Sequence, residues 1–227
     1  MEQRHGKEIK LKASETQRGF EMDSVVLGWK KPLARLLPEL LYFYVKPPAT
    51  IVDLAAGYRL FYKRTGNSGL DHPGYKFIFG DIRNLPDIDL VCDIRNSPVR
   101  DNIADAVIFD PPYGYSHKNN RRLAEIYTRI SPEAALDLIA NAAPEIYRIL
   151  KPFGTLIFKI GNRHKHKEYF PLDKLSYVIF EEFGFKQYDE IIFGSALKHP
   201  ISNRPFADKV HSYFMIFKKN RRSYRRD

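Results

Sequence analysis

Short apolar runs that end at acidic residues dominate the first half of the chain. The runs TIVD, KFIFGD, LVCD and AVIFD are rich in β-branched and aromatic residues and are short enough to be strands rather than helices. We therefore predict four buried strands, which end at Asp53, Asp81, Asp93 and Asp110.

Apolar residues recur at helical spacing in three longer segments. Residues 33–45, LARLLPELLYFYV, place their leucines on one face of a predicted helix, which a single proline interrupts. Residues 131–150 begin with a serine at the N-cap and a proline at the first helical position, and Pro144 is expected to kink this helix. Residues 174–185, KLSYVIFEEFGF, predict a helix that ends at Gly184.

The order of these elements predicts the fold class. Strands that alternate with helices form a mostly parallel sheet with helices on both faces. Two later strands, residues 185–196 and 211–219, have no helix-length segment between them and are expected to pair antiparallel. Because parallel strands present their carboxyl ends at one edge of a sheet, the four aspartates should lie together where such sheets bind ligands. We therefore predict a single α/β domain with a C-terminal antiparallel strand.

Composition and charge indicate a partner and a compartment. The 37 Lys and Arg against 27 Asp and Glu give a net charge of +10, which favours a polyanion such as nucleic acid, although a generally basic soluble protein is the alternative. The single cysteine, Cys92, fits a reducing cytoplasm, and no run approaches the roughly 20 apolar residues of a membrane span. We expect a flexible basic arm over residues 1–22, one domain over 23–219 and a basic tail over 220–227, with monomer and homodimer both open.

The row of aspartates indicates a pocket for a nucleoside. Asp53 can hold the following turn by accepting backbone N–H groups, and Gly57 lets a bulky ligand approach the main chain. Asp81 can accept ribose hydroxyls and Asp93 the exocyclic amine of adenine, although any one of these aspartates could instead cap a turn. The glycine patterns of dinucleotide and nucleoside triphosphate sites are absent, so a cationic nucleoside without phosphates, such as S-adenosylmethionine, suits this acidic pocket.

Four of these motifs also carry a resemblance to a known family. IVDLAAG, FIFGDIR, DLVCDIR and IFDPPYG resemble the S-adenosylmethionine-dependent amino-methyltransferases with a DPPY motif, the type that methylates adenine N6 or cytosine N4 in DNA. With KKPLARLLPELL and ILKPFGTLIFKIGN, the resemblance covers residues 29–219. It implies a class I, Rossmann-like methyltransferase fold and S-adenosylmethionine as the cofactor, bound by Lys31, Pro32, Asp53, Ala55, Ala56, Gly57, Asp81, Ile82, Asp93 and Ile94.

The resemblance further implies that the tetrad DPPY is the reaction site. An exocyclic amine of a base is a weak nucleophile, because its lone pair is delocalised into the ring. Acceptors on its N–H bonds, the Asp110 carboxylate and the Pro111 carbonyl, favour the tetrahedral nitrogen that can attack a methyl group. Pro112 stiffens the backbone, Tyr113 stacks on the base, and no metal is required.

Basic loops around the tetrad predict contacts with nucleic acid, although solvated loops are the alternative. From the motif we expect methylation of N6 of adenine in DNA, for which a base in a duplex must leave the stack. Methylation of RNA at guanine N2 or adenine N6 is an alternative, and an inactive nucleic-acid-binding subunit is another. The predicted contacts are Tyr115, His117, Lys118, Arg121, Arg122, Arg163, Lys165 and Lys167.

Overall fold

The computed structural model describes residues 33–63, 74–113, 130–165, 167–194 and 211–220. Within these ranges the helices are α1 (Leu33–Tyr44), α2 (Leu60–Lys63), α3 (Pro132–Ile149) and α4 (Leu172–Glu182). The strands are β1 (Ala49–Asp53), β2 (Tyr75–Asp81), β3 (Leu90–Val91), β4 (Ala104–Phe109), β5 (Leu150–Ile160), β6 (Arg163–Lys165), β7 (Glu168–Phe170), β8 (Phe185–Gly194) and β9 (His211–Lys219).

Seven strands form one mixed sheet in the order β3-β2-β1-β4-β5-β9-β8. The first five are parallel to one another, and β9 runs antiparallel to both of its neighbours, β5 and β8. The predicted antiparallel pairing of the last two strands is therefore confirmed, and β9 is inserted between β5 and β8. This strand order brings the carboxyl ends of the four acid-ending strands to one edge.

Two apolar layers hold helices against opposite faces of the sheet. Four leucines of α1 pack on one face with Ala106 and Ile108 of β4, namely Leu36, Leu37, Leu40 and Leu41. Val107 and Phe109 of the same strand face the other layer under α3 and α4. This alternation is the two-residue period of a strand that is buried on both faces. A continuous apolar run therefore holds β4 at the centre of the sheet and fixes the direction of the residues that follow it.

The helix ends match their sequence signals. The Ser131 hydroxyl accepts a hydrogen bond from the Ala134 amide at 3.2 Å, and Pro132 occupies the first position of α3. The chain leaves α4 at Gly184, whose φ of +86° is a conformation that glycine adopts without steric cost. After Gly57, the described residues up to 63 include the short helix α2.

A small hairpin, β6–β7, lies beyond the carboxyl end of β5, in a segment for which the sequence predicted only a basic loop. Its anchor is Asn162, which is 1% exposed. The Asn162 side chain donates to the Tyr169 hydroxyl at 2.8 Å and accepts from the Asp173 amide at 3.1 Å. These contacts join the hairpin to the start of α4, so tertiary partners rather than local propensity stabilise it.

Candidate active site

Four aspartates line the carboxyl edge of the sheet in the spatial order Asp93, Asp81, Asp53, Asp110. The order follows from the neighbouring positions of β3, β2, β1 and β4. Asp53 and Asp81 are almost completely buried, and the Asp110 and Asp93 side chains are 19% and 30% exposed. The predicted acidic edge is thus present, and its central part is the least accessible to water.

Asp53 organises the turn that follows β1, as the sequence predicted. Its Oδ1 accepts from the Ala55 amide at 3.0 Å, and its Oδ2 accepts from the Tyr62 hydroxyl at 2.8 Å. Burial raises the pKa of Asp53 to about 7, even though these two hydrogen bonds favour its ionised form and the carboxylates of Asp81 and Asp110 oppose it. This edge of the sheet therefore disfavours further negative charge and favours a cation.

Asp81 is enclosed by hydrogen-bond donors. Its Oδ1 accepts from the Arg83 amide and from Arg83 Nε, both at 2.9 Å. Its Oδ2 accepts from the Gly57 amide at 2.9 Å and from Arg83 Nη2 at 3.3 Å. Each oxygen thus has two donors, so the predicted contact with ribose hydroxyls requires Arg83 to move.

Asp93 repeats this arrangement one strand away. Its Oδ1 accepts from the Arg95 amide and Nε at 2.9 Å, and Arg95 Nη2 lies 2.5 Å from its Oδ2. Hydrogen bonds from the Arg95 side chain lower the pKa of Asp93 below its ordinary value, although partial burial acts the other way. Both pairs belong to a repeated hexapeptide, DIRN-x-P, at residues 81–86 and 93–98.

The isoleucines of the two repeats differ in exposure. Ile82 is 62% exposed beside the buried Asp81, whereas Ile94 is 6% exposed and belongs to the apolar core. Of these two predicted cofactor residues, only Ile82 therefore presents an open apolar surface. Ala56 is joined to the neighbouring strand, because its amide donates to the Gly80 carbonyl at 3.0 Å.

Lys159 joins Asp110 and Tyr113, the first and last residues of the tetrad. Its Nζ donates to Asp110 Oδ1 at 3.0 Å and to Asp110 Oδ2 at 3.3 Å. It also donates to the Tyr113 hydroxyl at 2.8 Å. Burial raises the pKa of Asp110 above its ordinary value, while the charges of Lys159 and Arg163 lower it. For Lys159 itself, burial lowers the pKa, but Asp110 and Tyr113 outweigh this and raise it above that of an ordinary lysine.

Tyr113 is held from its other side by the hairpin. Arg163 Nε donates to the Tyr113 carbonyl at 3.2 Å, and the Arg163 guanidinium carbon lies 4.9 Å from the centre of the Tyr113 ring. A Cβ atom at Gly161 would be 3.1 Å from Cε2 of the same ring. The two prolines between Asp110 and Tyr113 are buried or half-buried, so the whole tetrad is fixed against β5 and the hairpin.

The predicted nucleic-acid residues are only partly described. Lys165 pairs with Glu133 at the start of α3, at 2.6 Å, and Lys167 is exposed at the hairpin turn. Arg163, predicted to contact nucleic acid, donates from Nε to the Tyr113 carbonyl. Outside the described residues lie the predicted contacts Tyr115, His117, Lys118, Arg121 and Arg122 and the predicted cofactor residues Lys31 and Pro32.

Sequence reasoning missed Lys159, Arg83 and Tyr62, all of which contact a predicted site carboxylate. A signal existed for Lys159, since a lysine inside the apolar run TLIFKI needs a charged or polar partner when buried.

Among the described residues, no group of three or more His, Cys, Asp and Glu could hold a metal ion. No helix in that part of the chain is long and apolar enough to span a membrane.

A family model described as DNA methylase, of the N6/N4 methyltransferase type, matches residues 104–227, which is more than half of the chain. The match begins at the first residue of β4 and includes the tetrad, β5 and the hairpin. No curated protein sequence matches the chain significantly.

Solved structures show the same fold at low sequence identity. A 1,6-didemethyltoxoflavin-N1-methyltransferase from Burkholderia thailandensis, bound to 1,6-didemethyltoxoflavin and S-adenosylhomocysteine, has a TM-score of 0.53 at 14% identity and covers 84% of this chain and 80% of its own. An S-adenosylmethionine-dependent methyltransferase from Methanosarcina mazei has a TM-score of 0.50 at 12% identity and covers 80% of this chain and 97% of its own. These likenesses confirm the predicted fold class.

A candidate DNA modification methylase from Thermus thermophilus, in complex with S-adenosylmethionine, matches at 19% identity with a TM-score of 0.42. The match covers 60% of this chain and 56% of that protein. The chain thus spans about half of the length of the Thermus protein.

Proposed function

Because the chain belongs to the N6/N4 DNA methylase family of S-adenosylmethionine-dependent methyltransferases, we propose that it methylates an exocyclic amino group of a nucleic-acid base, with N6 of adenine in DNA as the target. The predicted family is thereby confirmed, and the base and the polymer are our proposal. The observation that carries this proposal is the position of Asp110 beside Tyr113 at the carboxyl end of the central strand β4.

The Asp110 carboxylate supplies the acceptor that such a target requires. It lies at the pocket edge with its side chain 19% exposed, so an amino group can approach it from one side. An N–H bond donated to this carboxylate helps the amine nitrogen to become tetrahedral, which frees its lone pair from the ring. The Pro111 carbonyl, fixed between two rigid neighbours, is proposed to accept the second N–H bond.

Tyr113 supplies the face on which the base stacks. Lys159 Nζ and the Arg163 guanidinium carbon lie 5.2 Å and 4.9 Å from the centre of its ring, and these contacts fix the ring before a base arrives. Stacking on an aromatic side chain contributes about 1–3 kcal/mol per base and tolerates any base. We therefore assign positioning to Tyr113 and discrimination among the bases to the hydrogen bonds at Asp110 and Pro111.

The acidic edge fits a cationic nucleoside cofactor. When bound, S-adenosylmethionine supplies an electrophilic methyl group on a positively charged sulfur. The mutual repulsion of Asp53, Asp81 and Asp110, which contributes to the raised pKa of Asp53, is relieved by such a cation. We propose that Asp53 and the 55–57 turn hold the cofactor near Asp110 and that Ile82 contacts its adenine ring.

Nucleoside mass spectrometry after incubation with methyl-labelled S-adenosylmethionine tests the proposed function. Single-stranded DNA, duplex DNA and RNA of matched sequence are offered separately. We expect labelled N6-methyldeoxyadenosine. Label only in RNA contradicts DNA as the polymer, and label only on cytosine contradicts adenine as the base. Cofactor binding without label on any polymer instead favours the inactive subunit.

The matched variant is Asp110→Asn, which keeps the size of the side chain but removes its charge. We expect methyl transfer to fall at least a hundredfold, in line with the loss of a group aimed at the reacting atoms. Affinity for S-adenosylhomocysteine should change less than about threefold, which corresponds to the loss of less than one ordinary hydrogen bond. Equal loss of cofactor affinity would assign Asp110 to the cofactor pocket.

The β6–β7 hairpin is proposed to contact the nucleic-acid backbone next to the target base. It lies beside Tyr113, and Lys167 is exposed at its turn. Replacing Lys167 with Ala should reduce the slope of log K against log salt concentration by about one, because one phosphate contact is lost. Lys186→Ala, an exposed lysine on β8, is the matched control, and equal slopes for both variants contradict this placement.

A further inference from the structure

We propose that Lys159 is a positioning residue of the active site, which keeps the Asp110 carboxylate ionised and holds it together with Tyr113 in the arrangement that receives the target amine. This inference rests on the proposed function. It assigns a role to a residue that lies outside the DPPY tetrad, on the neighbouring strand.

The geometry links the three groups through one atom. Lys159 Nζ is within hydrogen-bond distance of both Asp110 oxygens and of the Tyr113 hydroxyl, so a single cation fixes the distance between carboxylate and ring. The Lys159 side chain is only 12% exposed, which leaves it little freedom to leave this position. Its Nζ also lies 5.3 Å from the centre of the Phe61 ring, which limits its movement on the cofactor side.

The register of the sheet sets this geometry. Phe109 of β4 pairs with Phe158 of β5, so the residues that follow, Asp110 and Lys159, project at the same level from adjacent strands. A shift of one residue would turn Lys159 to the opposite face of the sheet. The apolar residues on either side of Lys159 are completely buried and hold this register.

The charge of Lys159 decides what Asp110 can do. A buried carboxyl group without a cation tends to be neutral. A neutral carboxyl is a weaker acceptor for the N–H of the target amine, and its O–H can donate to the lone pair that must attack the methyl group. Burial does raise the pKa of Asp110, and the Lys159 and Arg163 cations act against this. The titratable groups that face Asp110 come from five places in the fold. They are Lys159 on β5, Arg163 on β6, Tyr113 in the tetrad, Asp53 on β1 and Tyr62 on α2.

Replacing Lys159 with Met tests this role, because the side chain keeps its approximate volume and loses its charge. Single-turnover rates of methyl transfer are measured from about pH 5.5 to about pH 9, with saturating cofactor. We expect the acid limb of the profile to move to higher pH, since each pH unit of movement lowers the ionised fraction of Asp110 about tenfold at a given lower pH. The rate at about pH 6 should therefore fall about tenfold more than the rate at about pH 8.5.

Two further variants separate charge from structure. Lys159→Arg keeps the charge and should retain an acid limb close to that of the wild type, with a lower rate at every pH. Lys151→Met is the matched control, because Lys151 lies on the same strand and pairs with Asp105 of β4 at 2.8 Å, away from the tetrad. We expect it to leave the pH profile unchanged. If the Met variant does not fold, Lys159→Gln replaces it.

A titration of the Asp110 carboxyl by ¹³C NMR needs no methyl acceptor, and the signal is assigned by its loss in Asp110→Asn. We expect Asp110 to titrate at higher pH in Lys159→Met than in the wild type and in Lys151→Met. Equal titration in all three overturns the inference, as does a loss of rate that is the same at every pH. Absence of methyl transfer in the wild type would refute the proposed function, while the titration still decides the role of Lys159.

Discussion

Arg83 covers the Asp81 carboxylate, with Nε 2.9 Å from Oδ1 and Nη2 3.3 Å from Oδ2. The Gly57 amide occupies a further position on Oδ2, so the carboxylate has no simple vacancy for a ribose hydroxyl. If Asp81 binds ribose, cofactor and Arg83 compete for the same oxygen atoms. The affinity for cofactor then includes the free energy of moving Arg83 away.

Replacing Arg83 with Gln should strengthen cofactor binding. The lost contact is a charge-assisted pair with the Arg83 side chain 34% exposed, so its net contribution is about 1 kcal/mol after screening. We expect the Kd for S-adenosylhomocysteine, measured by isothermal titration calorimetry, to fall about fivefold. Arg100→Gln, at an exposed position, is the control. A weaker or unchanged affinity in Arg83→Gln would show that Arg83 supports the pocket instead of competing for it.

Asp53 should make the protein less stable as the pH rises from about 4 to about 7. Its pKa is about 7 in the folded protein and 3.8 in its ordinary state, so over this interval the folded chain keeps a proton that the unfolded chain has lost. The destabilising effect of Asp53 is absent below about pH 4 and constant above about pH 7. In Asp53→Asn this loss should disappear. The free energy of unfolding in urea, taken as variant minus wild type, should therefore be about 2–4 kcal/mol larger at about pH 8 than at about pH 4.

Asp137→Asn on the exposed side of α3 serves as the control for this measurement. Tyr62→Phe gives a second check, because it removes the hydroxyl that donates to Asp53. Because this hydrogen bond favours the ionised form of Asp53, the variant should extend the loss of stability to a pH above about 7. A difference between Asp53→Asn and the wild type that is the same at both ends of this pH range would contradict the raised pKa of Asp53.

A methyl group at Gly161 should disturb the reaction more than the fold. The added Cβ would lie 3.1 Å from the Tyr113 ring, which is tighter than normal contact and pushes the ring by a few tenths of an ångström. We expect Gly161→Ala to lower single-turnover methyl transfer about tenfold, because small displacements of positioning groups are costly. Gly184→Ala should do the opposite: it should lose about 1 kcal/mol of stability at a positive φ and keep its rate.

Asn162 should be important for stability because its polar side chain is almost completely buried. Asn162→Ala removes the acceptor of the buried Asp173 amide and the donor to the Tyr169 hydroxyl. We expect the free energy of unfolding to fall by about 2–3 kcal/mol in urea titrations. Asn141→Ala removes an exposed side chain that donates to the Asp137 carbonyl of its own helix, and it should change the free energy of unfolding by less than about 0.5 kcal/mol.

Most of the fold could be predicted because its signals are local. The apolar run of β4 and the serine cap of α3 lie in contiguous sequence and specify element type directly. The β6–β7 hairpin could not be predicted in this way, because its stability comes from Asn162 and its contacts with Tyr169 and Asp173. β8 is described as far as Gly194, and the last two residues of its predicted range, 195–196, lie outside the described residues.

Site residues could be predicted where a local sequence pattern, such as an aspartate after an apolar strand, indicates their position in the fold. Asp110 and Asp53 follow apolar strands and are placed at the carboxyl edge as expected. Lys159 and Arg83 were missed because their partners depend on strand register and on backbone folding after β2, which no local pattern specifies. The cofactor predicted for the pocket is that of the family to which the chain belongs. The cytoplasmic location, the 1–22 arm, the oligomeric state and the individual site residues stay predictions.

The place of β9 in the sheet has a consequence for the newly made chain. β9 lies between β5 and β8 but is synthesised after both. Until residues 211–219 leave the ribosome, the strand that carries Lys159 has one edge without a partner, and such edges pair readily with other chains. A nascent chain that stalls before residue 211 is therefore an aggregation hazard to its neighbours on the same messenger RNA.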